Sequence, residues 1–317
     1  MESIRIPFKS DKYGNSMDAR VSWDNQASPQ SPKPIALVYH GGGLIVGSSE
    51  MIPHAQTAYL SAHNFLVVAP NYRLAPQATA AEAFADCEEA YDWATTALPA
   101  ALAAAHALLQ VDTSRVVAYG HSFGGTLALH VGGAKNVKAV TAFYPSLFLA
   151  DATSAAHAPA RAPLFATAAD FAPSKADWAA IAPAATQLCE APLALPGTTV
   201  PEPRNKWQMH LLKHGQWLST LQPDGEYAVL NPLTRVRAQW PPVLIVQSAA
   251  DEVPGSNVGL ARRAEAEMRA AGVAEVRVVV VEGEGHMFDL PASVGTTDLG
   301  ARWGAVVEGL EWLCGRV

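Results

Sequence analysis

The chain has 317 residues, of which 50% are hydrophobic and only 16% are charged, so it is long and apolar enough to bury a large core in one domain. Its net charge of −7, without any run of lysines or arginines, disfavours nucleic acid and anionic membrane surfaces as the main partners. These properties favour a small neutral or apolar molecule as the ligand.

The composition also bears on location and redox state. The start of the chain lacks the basic region and apolar core of an export signal, and the most apolar stretch, residues 94–111, is interrupted by Pro99 and contains His106. We therefore expect an unprocessed cytoplasmic protein without a membrane span. Its three cysteines are odd in number and far apart, which predicts free thiols rather than a disulfide framework or a zinc site.

In chain order, the first predicted element is a hairpin, because apolar residues alternate with polar ones in residues 4–8 and 19–23. Residues 35–39 then form a continuous apolar run, which is typical of a strand covered on both faces. Similar runs alternate with helical patterns: runs at 65–69, 116–119, 137–143, 243–246 and 276–281, and helices at 80–97, 126–131, 260–271 and 299–313. This alternation predicts an α/β fold, with a mostly parallel central sheet flanked by helices.

One connection is much longer than the others. Residues 147–240 are rich in alanine and proline, with one helix expected near residues 207–218. Connections of this length in a compact domain are usually lids or caps over a site. Four tryptophans argue against disorder here: Trp178, Trp207, Trp217 and Trp240. We therefore predict a single domain, residues 1–317, with a cap or lid inserted at residues 147–240.

The sequence Gly-His-Ser-Phe-Gly at residues 120–124 lies between an expected strand and an expected helix. This pattern predicts a sharp turn that presents Ser122 as a nucleophile, with Gly120 and Gly124 leaving room for the close approach of strand and helix. The amino terminus of the helix favours negative charge beside the serine. Parallel sheets carry their chemistry at the carboxyl ends of the strands, which is where this motif falls.

A serine hydroxyl needs a base to take its proton and an acid to orient that base, and in this fold the chain order is serine, acid, histidine. Asp251 follows the apolar run at 243–246, and His286 follows the run at 276–281 in a glycine-flanked loop. We predict Asp251 as the acid and His286 as the base. Spacing alone does not exclude Glu252 as the acid.

A second glycine motif, His40-Gly41-Gly42-Gly43, directly follows the strand expected at residues 35–39. Consecutive glycines expose backbone N–H groups that can stabilise an oxyanion. By analogy, the expected donors are the N–H groups of Gly42, Gly43 and Phe123. A phosphate-binding loop is the competing interpretation, but no Gly-Lys-Ser or Gly-Lys-Thr follows.

Together these motifs resemble the hormone-sensitive-lipase-like branch of the α/β-hydrolases, often called the alpha/beta hydrolase fold-3 family. The resemblance covers most of the chain from residue 35 onward. Its motifs are His-Gly-Gly-Gly at 40–43, Gly-Ser at 47–48, Asn-Tyr-Arg-Leu-Ala-Pro at 71–76, residues 83–93 with Asp86, the Ser122 elbow, Asn-Pro-Leu at 231–233, and His286.

The resemblance implies an α/β-hydrolase fold and a carboxylesterase with a Ser122, Asp251 and His286 triad, without metal or organic cofactor. It also implies an oxyanion hole at Gly42, Gly43 and Phe123, with the histidine at position 40 supporting the glycine loop. The chain departs from the family pattern in several places: His121 and Phe123 replace the usual aspartate and alanine, and Asp-Glu-Val-Pro at 251–254 replaces the usual acid motif. The amino-terminal segment is too short for the usual helical cap.

Three functions remain open at this point. The first is hydrolysis of a small to medium ester, lactone or thioester, with short acyl chains preferred. The second is acyl transfer or cyclising product release in secondary metabolism, and the third is a non-catalytic small-molecule receptor. A homodimer is compatible with the sequence. His210 and His214 have helical spacing but no acidic companion nearby, so we predict no metal site there.

Overall fold

The computed structural model describes residues 1–24, 31–105, 109–149, 151, 166–193, 203–290 and 301–317. Within these residues one sheet of eight strands forms the centre of the fold. The strands are β1 (Glu2–Ser10), β2 (Ser16–Trp23), β3 (Lys33–Tyr39), β4 (Leu66–Pro70), β5 (Val111–His121), β6 (Val140–Phe143), β7 (Val243–Ser248) and β8 (Val276–Val281). Their order across the sheet is β1-β2-β4-β3-β5-β6-β7-β8, with β1–β2 and β2–β4 antiparallel and all other pairs parallel.

The strands follow the sequence patterns closely. The predicted hairpin is confirmed, with Ile4 opposite Val21 and Ile6 opposite Ala19. The inner strands β3, β4, β6 and β7 are buried along their whole length, which is why their sequences are mostly apolar rather than alternating. The predicted fold class, a mostly parallel α/β sheet, is confirmed.

Helices cover both faces of the sheet. They are α1 (His54–Ala62), α2 (Ala80–Thr96), α3 (Leu98–Ala105), α4 (Phe123–Ala134), α5 (Lys175–Ile181), α6 (Pro203–Lys213), α7 (Trp217–Leu221), α8 (Val258–Ala270) and α9 (Ala301–Cys314), with short 3₁₀ turns at Ser49–Met51, Tyr227–Leu230 and Pro232–Arg235.

The two faces of the sheet bury two separate apolar clusters. Val116 and Ala118 of β5 belong to a cluster that also includes residues of α2, α4 and α8, whereas Val117 and Tyr119 belong to one that includes residues of α1 and α9. Successive residues of a strand point to opposite faces, so one apolar strand supplies both clusters. The core therefore lies on both sides of the sheet, and the carboxyl ends of its strands remain available for a site.

The helix predicted near residues 207–218 is wrong in one respect, because two helices occupy this region. The first, α6, ends at Lys213, and Gly215 takes a left-handed backbone conformation with φ of 66°. The Gly215 N–H donates to the Leu212 carbonyl at 3.3 Å, and the Gln216 N–H donates to the Leu211 carbonyl at 2.8 Å. This pattern is the usual glycine stop of a helix. Helix α7 then starts at Trp217.

Two expectations from composition can be compared with the structure. Cys87, Cys189 and Cys314 are free thiols, as expected. Among the helices in the described residues, none combines the length and the apolarity needed to cross a bilayer.

Candidate active site

Ser122 lies at the tip of the turn between β5 and α4, with φ of 55° and ψ of −126°. This left-handed conformation is strained for a residue with a side chain, and such strain is typical of functional sites. The flanking glycines make the turn possible: a Cβ atom on Gly120 would overlap the carbonyl of Gly124, and one on Gly124 would overlap the carbonyl of Tyr39. The Ser122 N–H donates to the Phe143 carbonyl at 2.9 Å, which holds the turn to β6.

The structure brings Ser122, His286 and Asp251 into one hydrogen-bonded chain. His286 Nε2 lies 2.8 Å from Ser122 Oγ, and His286 Nδ1 lies 2.8 Å from Asp251 Oδ2. Because an ionised carboxylate only accepts hydrogen bonds, Nδ1 carries the proton in this arrangement. The lone pair of Nε2 therefore faces the Ser122 hydroxyl, as a general base requires.

Asp251 is held by a set of donors below the imidazole. Gln247 Nε2 and Ser256 Oγ donate to its Oδ2 at 3.0 and 2.9 Å, and the Val253 N–H donates to its Oδ1 at 3.0 Å. The Asp251 side chain is fully buried, whereas Glu252 is exposed to solvent. Of the two carboxylates left open by spacing, Asp251 is therefore the one in contact with His286.

The glycine loop at residues 40–43 passes directly beside Ser122. A Cβ atom on Gly41 would lie 3.2 Å from Ser122 Cβ, so only glycine fits this approach without displacing the serine. Gly42 and Gly43 have positive φ values of 107° and 61°. Glycine adopts such conformations without the steric cost that other residues incur.

Two side chains from residues 203–221 hold the carbonyl groups of this loop. Gln208 Nε2 donates to the Gly42 carbonyl and Trp217 Nε1 donates to the Gly43 carbonyl, each at 2.9 Å. The bond from Gln208 fixes the peptide group that carries the Gly43 N–H, one of the predicted oxyanion donors, and the bond from Trp217 fixes the next peptide group of the loop. Sequence inspection did not find Gln208 or Trp217 in this role, because nothing local distinguishes them from other helical residues.

His40 is buried beneath the glycine loop. Its ring stacks on Tyr72 with centroids 4.1 Å apart, and its Nδ1 lies 2.7 Å from the Gly41 carbonyl oxygen. Burial lowers the pKa of His40 to about 4, partly offset by the bond to Gly41, so the ring is neutral at neutral pH. These contacts are those of a support for the loop.

Phe123 directs its ring into the core. It packs edge-on against Phe84 and Trp217, with centroids 6.0 and 5.9 Å away. A small cavity opens at Ser122 on another side, with Met51, Ile52, Met287 and Leu290 in its lining. The cavity has a volume of about 10 Å³, roughly enough to hold one water molecule. The cavity is therefore narrow and largely apolar.

A buried polar cluster lies next to the triad. Asp289 is fully buried and accepts hydrogen bonds from Gln56 Nε2 at 2.6 Å and from the Tyr144 hydroxyl. His121 Nε2 lies 3.2 Å from Asp289 Oδ2. Burial raises the pKa of Asp289, but His121 and the hydrogen bonds outweigh this effect and bring the pKa below its usual value. Sequence reasoning noted His121 only as a family departure and missed Asp289.

The structure corrects one statement about His210 and His214. An acidic neighbour exists, since Asp170 Oδ1 lies 2.8 Å from His214 Nε2, and the candidate ligand atoms of the three residues lie within 4.8 Å of one another. Two of these groups already have other partners. Lys213 Nζ lies 3.0 Å from Asp170 Oδ1, and the Phe171 N–H donates to His210 Nδ1 at 3.2 Å.

Comparison with known proteins identifies relatives of parts of this chain. The non-reducing polyketide synthase ascC of Acremonium egyptiacum is 39% identical over 105 residues, which cover 33% of this chain and 5% of that protein. The probable carboxylesterase M8 of a Phoma species is 31% identical over 129 residues, which cover 39% of this chain and 40% of that protein. The match thus spans less than half the length of either relative.

Solved structures share the fold over nearly the whole chain. Esterase 2 of Thermogutta terrifontis phosphorylated by paraoxon superimposes with a TM-score of 0.63 at 18% identity, covering 99% of this chain and 94% of that one. Its butyrate-bound form gives a TM-score of 0.61 at 19% identity over the same shares of both chains. A model of the alpha/beta hydrolase fold family matches residues 36–201, just over half of the chain. The chain therefore belongs to the alpha/beta hydrolase fold family, which confirms the family and the hydrolase class that its motifs indicated.

Proposed function

We propose that the protein is a serine carboxylic-ester hydrolase that acts through an acyl-enzyme on a small ester, lactone or thioester. The observation that carries this proposal is the unbroken chain from Ser122 Oγ through His286 to the buried Asp251, directly beside the glycine loop. A nucleophile, a base and an orienting acid in hydrogen-bond contact are what acyl transfer requires.

In the first half of the reaction, Ser122 Oγ attacks the acyl carbon while its proton passes to His286 Nε2. Asp251 keeps the imidazole in place and stabilises its positive charge. The carbonyl oxygen becomes an oxyanion, for which we assign the N–H groups of Gly42, Gly43 and Phe123 as donors. The bond to the leaving group then breaks, and the leaving group takes the proton from His286.

In the second half, water attacks the ester formed on Ser122. His286 takes a proton from that water and returns it to Ser122 Oγ as the acid product departs. The enzyme is thus restored without a cofactor or metal in either half of the proposed cycle.

The narrow, largely apolar cavity at Ser122 is an argument for a substrate with a small acyl group. We also infer that residues 1–317 act as one domain and that residues 147–240 cap the site. The bonds from Gln208 and Trp217 to the glycine loop support this role for the described part of that segment. The Gly47 N–H and the Ala191 carbonyl, 2.6 Å apart, add a second contact between this segment and the site.

The test is hydrolysis of p-nitrophenyl esters from acetate to laurate by the wild type and by Ser122→Ala. We expect faster turnover of acetate and butyrate than of laurate, and no turnover above background for the variant. A fluorophosphonate probe should label wild-type Ser122. Absence of both labelling and turnover in the folded wild type would overturn the proposal and favour a small-molecule receptor.

Acyl transfer or cyclising product release is the second candidate, and the similarity to non-reducing polyketide synthases favours it. The first half of the reaction is the same, but an alcohol, an amine or a hydroxyl of the acyl chain itself replaces water. Product analysis of the wild type with an added alcohol or amine distinguishes the two. An excess of transferred or cyclised product over free acid would favour this second candidate.

A further inference from the structure

The polar cluster around Asp289 connects the elbow of Ser122 with the loop of His286, and the proposed mechanism needs these two segments at a fixed distance. His121 directly precedes Ser122 in the elbow, and Asp289 lies in the same loop as His286. Gln56 belongs to α1 and Tyr144 follows β6. The Tyr144 ring also packs edge-on against the His286 ring, with centroids 4.8 Å apart. Asp289 thus accepts hydrogen bonds from a helix residue and from a residue at the end of a strand, and its carboxylate lies 3.2 Å from Nε2 of the elbow residue His121.

The loop that carries His286 needs such an anchor. Gly283 and Gly285 precede the histidine, and glycines leave the backbone conformationally free. The start of the loop is held by the Ala250 N–H, which donates to the Glu284 carbonyl at 2.9 Å. Beyond His286 the loop turns back through Met287, whose φ is 60°, a strained value for a residue with a side chain. Asp289 is the polar side chain that holds this second half of the loop.

A buried carboxylate is costly unless donors surround it, and this one has them. Gln56 Nε2 lies 2.6 Å away, the Tyr144 hydroxyl donates to the other oxygen, and His121 Nε2 lies 3.2 Å away. His121 is itself fixed, since its ring stacks on Phe143 with centroids 5.2 Å apart and its Nε2 lies 2.9 Å from Gln56 Oε1. Every partner is well ordered by packing, so the carboxylate has one position.

We propose that Asp289 is a positioning residue, which fastens the loop of His286 to the elbow of Ser122 and so sets the distance between base and nucleophile. This inference rests on the proposed function.

The test compares Asp289→Asn with the wild type. Asparagine keeps the shape but removes the negative charge that faces His121 and leaves only one of the two acceptor oxygens. We expect kcat for p-nitrophenyl acetate to fall about tenfold to a hundredfold, because small misplacements of catalytic groups cost this much. KM should change less than twofold, and the rate of fluorophosphonate labelling of Ser122 should fall in parallel with kcat. A purely structural role would lower the amount of folded protein but not these per-molecule rates.

Glu88→Gln is the matched control. Glu88 Oε1 lies 2.7 Å from Nε2 of His130, another buried histidine, so the substitution also neutralises a carboxylate facing an imidazole. His130 lies eight residues beyond Ser122 in α4, about 12 Å along the helix axis. We expect Glu88→Gln to leave kcat within twofold of the wild type.

Tyr144→Phe is a second test of the proposal, for use if Asp289→Asn does not fold. This variant keeps the ring against His286 but loses one hydrogen bond to Asp289, so kcat should fall about twofold to fivefold. Wild-type rates in a folded Asp289→Asn, or in Tyr144→Phe if the former does not fold, would overturn the positioning role alone. Failure of the wild type itself to label or turn over would overturn the proposed function and this inference with it.

Discussion

The strand-end side of the active site and the side formed by residues 203–221 are held in place by different kinds of contact. Ser122, Asp251 and His286 follow β5, β7 and β8, whose backbones pair within one parallel sheet. On the other side, Gln208 and Trp217 each reach the glycine loop through one side-chain hydrogen bond. The first side depends on backbone pairing, and the second depends on individual side chains.

This difference has a consequence for substitutions. In the proposed mechanism Ser122, Asp251 and His286 act as a unit, so removing one of them should remove most of the activity. On the other side each side chain contributes one bond of modest strength, so its loss should change activity by a small factor. We therefore expect large effects at the triad and graded effects at residues 203–221.

The largest effect is expected for Ser122→Ala. Loss of the nucleophile should lower kcat for p-nitrophenyl acetate by about six orders of magnitude, while the melting temperature stays close to that of the wild type, because alanine keeps the strained backbone conformation and little packing is lost. Steady-state kinetics and thermal unfolding of the same samples measure both quantities. Ser10→Ala, an exposed serine in β1, is the control and should match the wild type. Residual activity above about one tenth would contradict the assignment of the nucleophile.

The next largest effect separates two neighbouring carboxylates. Asp251→Asn should lower kcat by about four orders of magnitude, because an amide at this position favours the wrong tautomer of His286. Glu252→Gln should change kcat less than twofold, since Glu252 is exposed. Measurement of kcat for p-nitrophenyl acetate in both variants shows which carboxylate the activity depends on. Equal losses in the two variants would show that the strand-end side does not act through Asp251.

A smaller effect is expected on the other side of the site. Trp217→Phe keeps an aromatic ring but removes the bond to the Gly43 carbonyl, so we expect kcat to fall about threefold to tenfold and stability to fall by about 1 kcal/mol. Trp240→Phe is the matched control, because its Nε1 donates to the Arg235 carbonyl at 3.1 Å. It should show a similar loss of stability with an unchanged kcat. Equal kcat values in the two variants would remove the link between residues 203–221 and the glycine loop.

The last prediction concerns stability in acid rather than activity, and it tests the burial of His40 beneath the glycine loop. The pKa of His40 is lowered from 6.5 to about 4, so the unfolded chain takes up a proton that the folded protein resists. The contribution of neutral His40 to the free energy of unfolding is complete above pH 6.5 and declines as the pH falls toward 4. The loss between pH 7 and pH 5 is about 2 kcal/mol. Urea unfolding of the wild type and of His40→Gln at both pH values tests this. The variant should lose less stability on acidification than the wild type, and an equal loss would contradict the role of His40.

Much of the fold and site was predictable because the deciding signals are local. A strand covered on both faces must be apolar throughout, so the runs at 35–39 and 243–246 identify β3 and β7 directly. A turn that passes within contact distance of a strand admits only glycine, so Gly120 and Gly124 identify the elbow. Once the serine is known, the order serine, acid, histidine that this fold uses points to His286 as the predicted base.

Other features depend on pairs of residues that lie far apart in the chain. Trp217 and Gly43 are 174 positions apart, and Asp289 is 233 positions from Gln56, so neither pairing leaves a trace in any short stretch of sequence. The same holds for Asp170, which becomes the acidic neighbour of His214 only after folding. The stop of α6 at Gly215 had a local signal, but the helical spacing on both sides of it obscured that signal.

The amino-acid sequence by itself thus determined the alternation of strands and helices, the nucleophile elbow, the glycine loop and the order of serine, acid and histidine. The first three follow from backbone sterics or from burial of one short segment, and the order is the one expected for this fold. Only the tertiary structure decided that Asp251 rather than Glu252 faces His286, that Trp217 holds the glycine loop, and that Asp289 is buried beside His121. Such contacts arise between distant segments, because burial removes water and leaves each polar group only the partners that the fold supplies.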